Sequence, residues 1–120
     1  MALEASAISI IRECEPVLQI MPQGNEGFDL LEADMNGEPE RWIEVKAMTG
    51  GLKDRPVGLS KVQFEFARRH GEQYWLYIVE HAGESRARIV KIQNPAGRTG
   101  TFTFDHGWIE VADQPLKRVG

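Results

Sequence analysis

The chain has 120 residues, 42% hydrophobic and 27% charged, which is one domain of common size and too apolar for a disordered chain. Its formal net charge of −4 excludes a uniformly basic nucleic-acid binder, and no run approaches the roughly 20 apolar residues of a membrane span. The charge is unevenly placed: residues 1–40 carry one Arg against nine acids, residues 41–70 seven Lys or Arg against three acids, and residues 71–120 six against six. A locally positive segment attracts polyanions even on an acidic protein, although a solvated helix face and loop give the same count. Cys14 stands alone, so no internal disulfide forms. The N-terminus has no basic region followed by an apolar core, so the expected location is the reducing cytoplasm. The chain opens directly in a helical pattern, and the expectation is a piece of a longer protein.

Residues 2–14 read as a helix, with Leu3, Ala7, Ile10, Ile11 and Cys14 at spacings of three and four forming one apolar stripe. On that stripe Cys14 reads as a core residue. Pro16 stops the helix. Residues 17–21 and 28–33 read as strands, and Asn36-Gly37 marks a tight hairpin into a third strand at 41–48. Residues 49–58 hold three glycines and a proline and read as a loop. Ser60 and Gln63 match a capping box, and Leu59 with Phe64 a hydrophobic staple, at the head of a helix ending at His70-Gly71. Its expected stripe is Leu59, Val62, Phe66 and Ala67. Residues 74–79 are apolar on both faces, the mark of a strand covered on both sides, so Trp75 and Tyr77 read as core more readily than as base-stacking platforms. Residues 86–92 alternate like a strand nearer an edge, residues 101–104 and 108–111 are short strand-like pieces, and the tail from Gln114 frays. The expected fold is a mixed sheet with helices packed on it, α/β or α+β, as a single domain over 1–120 with its core at about 2–95 and a C-terminal strand extension at about 100–112.

Chemistry concentrates at Trp42-Ile43-Glu44-Val45-Lys46. Strand alternation puts Glu44 and Lys46 on one face and Ile43, Val45 and Ala47 on the other. The hairpin makes Asp29 a strand neighbour of Glu44. Two carboxylates and a backbone carbonyl, most simply that of Val45, could hold a divalent cation, with Lys46 beside a phosphate. A salt bridge between Lys46 and one carboxylate is the competing structural reading. His70 reads as a half-buried helix-end residue, and His81 and His106 have no ligand-like spacing.

Gly27-Phe28-Asp29 followed by Ile43-Glu44-Val45-Lys46 resembles the PD-(D/E)XK nuclease superfamily. The ordered set that adds Trp42, Leu59-Ser60, Tyr74-Trp75-Leu76-Tyr77-Ile78-Val79 and Ile92-Gln93-Asn94-Pro95 is similar to the domain of unknown function named after the C-terminus of the NO VEIN protein, over roughly residues 4–95. The resemblance implies a restriction-endonuclease-like core of αβββαβ order and a nuclease dependent on Mg2+ or Mn2+. It implies metal on Asp29, Glu44 and the Val45 carbonyl, and catalysis by Asp29, Glu44 and Lys46. Phe28 stands where the superfamily pattern has proline, a change that touches no ligand. Glu4, 25 residues before Asp29, is the better-spaced acid for a first-helix role, and Glu13 the lesser one. A first-turn acid is also explained by the helix dipole. Gln63 is either a site residue or only the cap. Lys53, Arg55, Arg68 and Arg69 are candidate backbone contacts. The expected partner is DNA rather than RNA, together with helicase- or ATPase-like domains of a parent protein of the kind found in bacterial defence. A homodimer is compatible with the sequence. The competing function is a non-catalytic nucleic-acid or protein-interaction module that keeps the nuclease fold.

Overall fold

A computed structural model describes residues 2–21, 27–100 and 112. Helix α1 (Ala2–Cys14) leads into β1 (Gln19–Ile20), β2 (Leu30–Ala33) and β3 (Pro39–Ala47). Helix α2 (Lys61–His70) and a 3-10 turn (Gly71–Gln73) follow, then β4 (Tyr74–Glu80), β5 (Arg88–Gln93) and α3 (Pro95–Arg98). The five strands form one mixed sheet in the order β1-β2-β3-β4-β5. β3 and β4 are parallel and joined through α2, and the other neighbours are antiparallel. The expected strands at 101–104 and 108–111, the tail and His106 lie outside the described residues.

The two faces of the sheet follow from strand alternation. Ile43, Val45, Tyr77 and Val79 pack with Ala7, Ile11, Leu18 and Leu30 on the α1 face. Leu76 and Ile78 pack with Met48 and Leu59 on the α2 face, where Leu52 and Val57 of the long loop also settle. β5 divides as its pattern predicts, with Ala87 and Ile89 against the first cluster and Val90 and Ile92 against the second. Among the described residues, no helix is long and apolar enough to cross a membrane.

Each of the two long helices departs from its expected stripe at one residue. Cys14 is exposed and is not a core residue. The inward positions run at intervals of four, through Ala7 and Ile11 to Glu15, so the chain turns an acid toward the sheet where the stripe predicted the thiol. Glu15 is received by Arg41 at 2.6 Å, by the Tyr77 hydroxyl at 2.8 Å and by Lys91 at 2.7 Å, while Arg41 also bonds Glu32 at 2.6 Å. Burial pushes the Glu15 carboxyl up, but these hydrogen bonds outweigh it and hold the group at about 2. In α2, Val62 is 46% exposed and does not join the stripe. Leu59 precedes the cap and cannot set the helical phase; the inward residues are Gln63, Phe66, Ala67 and His70. Trp42, Phe66 and His70 stack together, with 3.9 Å between the Trp42 and His70 ring centres.

Candidate functional site

The site is made where β2 and β3 separate. Their ladder reaches the pair Leu30 and Ile43, and the Asp29 N–H still donates to the Ile43 carbonyl at 2.8 Å. One step further along β3 no β2 residue lies opposite. The Val45 N–H donates instead to Asp29 Oδ2 at 2.9 Å. In a strand, the N–H and C=O of one residue point to the same side, so the Val45 carbonyl is directed toward the same opening. Asp29 thus sits just before β2, not within it, and its side chain continues the ladder that its backbone has left.

Glu44 arrives from β3 and meets Asp29 there. It is 4% exposed, on the sheet face that also carries Leu76 and Ile78. Burial pushes its carboxyl up to about 9, and the adjacent negative charge of Asp29, a hydrogen bond with Asp29 and the more distant Glu4 push in the same direction. Lys46 opposes them from 3.7 Å on the same face of β3. Glu44 is therefore the acid that keeps its proton at neutral pH, because its burial and the neighbouring carboxylate both disfavour its charge.

A cavity of about 340 Å³ opens over this pair, lined by Leu3, Glu4, Asp29, Glu44, Val45, Lys46, Ala47 and Gln63. Glu4 stands exposed on the first turn of α1 at its rim. Gln63 has two roles. Its Oε1 accepts from the Ser60 N–H at 2.8 Å, while Ser60 Oγ accepts from the Gln63 N–H at 3.1 Å, so the capping box is complete. The same side chain lines the cavity, because the cap is the end of α2 that faces Glu44. Glu13 lies near the other end of α1 and does not line it.

Asp29, Glu44, Val45, Lys46, Glu4 and Gln63 are thus brought together. The four basic candidates are not part of the cavity wall: Lys53 and Arg55 are exposed on the loop, and Arg68 and Arg69 are exposed in the last turn of α2. The sequence reading missed Leu3 and Ala47 as walls, and it missed Tyr74. The sequence pattern places Tyr74 in an apolar strand and in the family's ordered motif set but gives its hydroxyl no role, yet that hydroxyl donates to the Gly27 carbonyl at 2.7 Å. Its burial first, then the negative charges of Glu44 and Asp29, keep that hydroxyl protonated. The available signal was the residue type itself, because a buried tyrosine must find a partner for its O–H.

Two close-set carboxylates and a backbone carbonyl are hard oxygen donors, and a cation in place of the Glu44 proton would offset the repulsion between the carboxylates. The donor set therefore fits Mg2+ or Mn2+. Among the described residues no group of three or more His, Cys, Asp or Glu side chains is arranged to hold a metal ion. A cation here would complete its shell with water and substrate oxygen, as magnesium often does.

The molecule is thus a mixed α/β domain in which a buried glutamate and a half-buried aspartate open on one cavity. The chain belongs to the family described as Protein NO VEIN, C-terminal, whose sequence profile matches residues 4–92. No curated protein and no solved structure matches the chain.

Proposed function

We propose that this domain is a divalent-cation-dependent phosphodiesterase acting on nucleic acid, DNA rather than RNA, with a restriction-endonuclease-like core of the PD-(D/E)XK kind. The observation that supports it is the convergence of Asp29 and Glu44 on one cavity with Lys46 beside them. Asp29, Glu44 and the Val45 carbonyl would hold Mg2+ or Mn2+, which when bound polarises a phosphoryl oxygen and acidifies water. The Lys46 ammonium is placed to balance negative charge gathering on a phosphate in the cavity. Glu4 at the rim and Gln63 on the α2 side bound the space that a phosphate would enter. Lys53, Arg55, Arg68 and Arg69, away from the cavity, would serve as backbone contacts along a longer strand. In a larger protein, helicase- or ATPase-like modules would deliver that strand.

The test is incubation with single-stranded DNA, double-stranded DNA and RNA in Mg2+ or Mn2+, beside Glu44→Ala and Lys46→Ala. Cleavage by the wild type that needs the cation and is lost in both variants supports the enzyme. The second reading, a non-catalytic interaction module on the same fold, draws on the depth of Glu44 and its raised carboxyl, which would also serve as a protonated structural partner to Asp29. Equal inertness of wild type and variants, with nucleic-acid or protein binding retained, decides for that reading.

A further inference from the structure

We propose that Tyr74 is a positioning residue for Asp29, acting through Gly27. This rests on the reading of Asp29 as a site residue, although its first readout does not need a cation. Tyr74 opens β4, is 0% exposed and pairs with Trp42, two residues before Glu44 on β3. Its hydroxyl reaches across the sheet to a carbonyl 47 residues earlier in the chain. That carbonyl belongs to Gly27, which is buried and has a φ of +97°, a conformation that side-chain-bearing residues rarely adopt. Space enforces the same choice, because a Cβ on Gly27 would lie 2.8 Å from Phe66 Cδ2. Gly27, at the head of the Gly27-Phe28-Asp29 segment, is therefore held both by a hydrogen bond from the sheet and by a ring from α2 packed close against it.

Asp29 needs such a hold. It lies outside the strand, with its N–H on Ile43 and its Oδ2 on the Val45 N–H. A shift of the segment by a fraction of an ångström lengthens the Val45 bond and moves the carboxylate relative to Glu44. The Tyr74 ring alone supplies packing; the hydroxyl supplies the register of the segment. Packing and positioning are therefore separable by removing one oxygen.

The experiment is Tyr74→Phe in the whole chain, read by amide NMR and by Mn2+ titration. Expected is a shift of the Val45 amide resonance and about tenfold faster exchange of that amide, as one buried hydrogen bond is worth on the order of a factor of ten. The amides of Ile78 and Val90, paired with each other between β4 and β5, stay at wild-type exchange. Mn2+ affinity falls by about tenfold. An unmoved Val45 amide overturns the proposal, and so does an equal acceleration at Val45, Ile78 and Val90, which would mean a purely structural hydroxyl. If the wild type binds no Mn2+, the cation reading fails on its own, and the Val45 amide still decides the role of Tyr74. Should Tyr74→Phe not fold, Phe66→Leu loosens the second contact on Gly27 and is judged by the same Val45, Ile78 and Val90 amides.

Discussion

Glu44 is the residue whose chemistry and stability oppose each other most directly. An isolated glutamate ionises near 4.5, whereas burial and Asp29 hold Glu44 protonated up to about 9. Between those values the unfolded chain has released a proton that the folded chain keeps. Stability from this group is therefore fully present below about 4.5 and is lost as pH rises toward 9. Glu44→Gln, neutral at every pH, is expected to flatten that slope and to raise stability by about 1–2 kcal/mol at pH 8, measured by urea unfolding from pH 5 to 9. The same variant is expected to lose cation binding, a trade between stability and function within one side chain. Glu15 titrates with the opposite sign. Its hydrogen bonds hold it at about 2, so its contribution is present above about 4.5 and disappears as pH falls through 2. Arg41→Met leaves Glu32 without its cation and Glu15 with only Lys91 and Tyr77. The expected loss is about 1–2 kcal/mol, discounted for partial exposure, and the pH dependence below 4 should shrink in the same unfolding series.

At the scale of the element, α2 is the best-defined piece and also carries the cap into the cavity. Ser60→Ala removes the acceptor for the Gln63 N–H and is expected to cost about 1 kcal/mol by urea unfolding. Freed of its reciprocal partner, the Gln63 side chain should also become more mobile at the cavity wall, visible as averaging of its side-chain amide resonances. What could be read from the sequence was whatever repeats locally. The two-residue period placed Glu44 and Lys46 on one face, Asn36-Gly37 brought β2 back along β3, and Ser60 with Gln63 gave the cap. What could not be read was nonlocal. No pattern in α1 says that Glu15 will meet Arg41 and Lys91, so Cys14 looked inward until those partners were known. The Tyr74 hydroxyl points at a carbonyl 47 residues away, and periodicity records only that the strand around it is apolar.

At the scale of the whole molecule, the sheet topology decides what the local motifs can do. A parallel β3–β4 pair sends the chain over one face through α2, while α1 covers the other. The end of β3 is thereby left with α1 and α2 on either side of it and β2 diverging from it. There the Val45 N–H of β3 takes a side-chain carboxylate in place of a neighbouring strand. The positive surplus of residues 41–70 surrounds this end in sequence, but its exposed members sit on the loop, at Lys61 in the first turn of α2, and at Arg68 and Arg69 on the far turn of α2. A long substrate would have to cross both the cavity and one of those patches. Replacing Arg68 and Arg69 together by Ala is therefore expected to weaken DNA binding severalfold and to reduce its salt dependence, while leaving Mn2+ affinity unchanged, as measured by anisotropy at several salt concentrations.

The central claim, that Asp29 and Glu44 form a divalent-cation site, is tested most directly by calorimetric titration of Mn2+ into the wild type, Asp29→Asn and Glu44→Gln across pH 6 to 9. The account predicts one ion per wild-type chain, a proton released on binding, affinity rising by up to tenfold per pH unit toward 9, and loss of binding in both variants. No binding by the wild type, or binding that both variants retain, would contradict it.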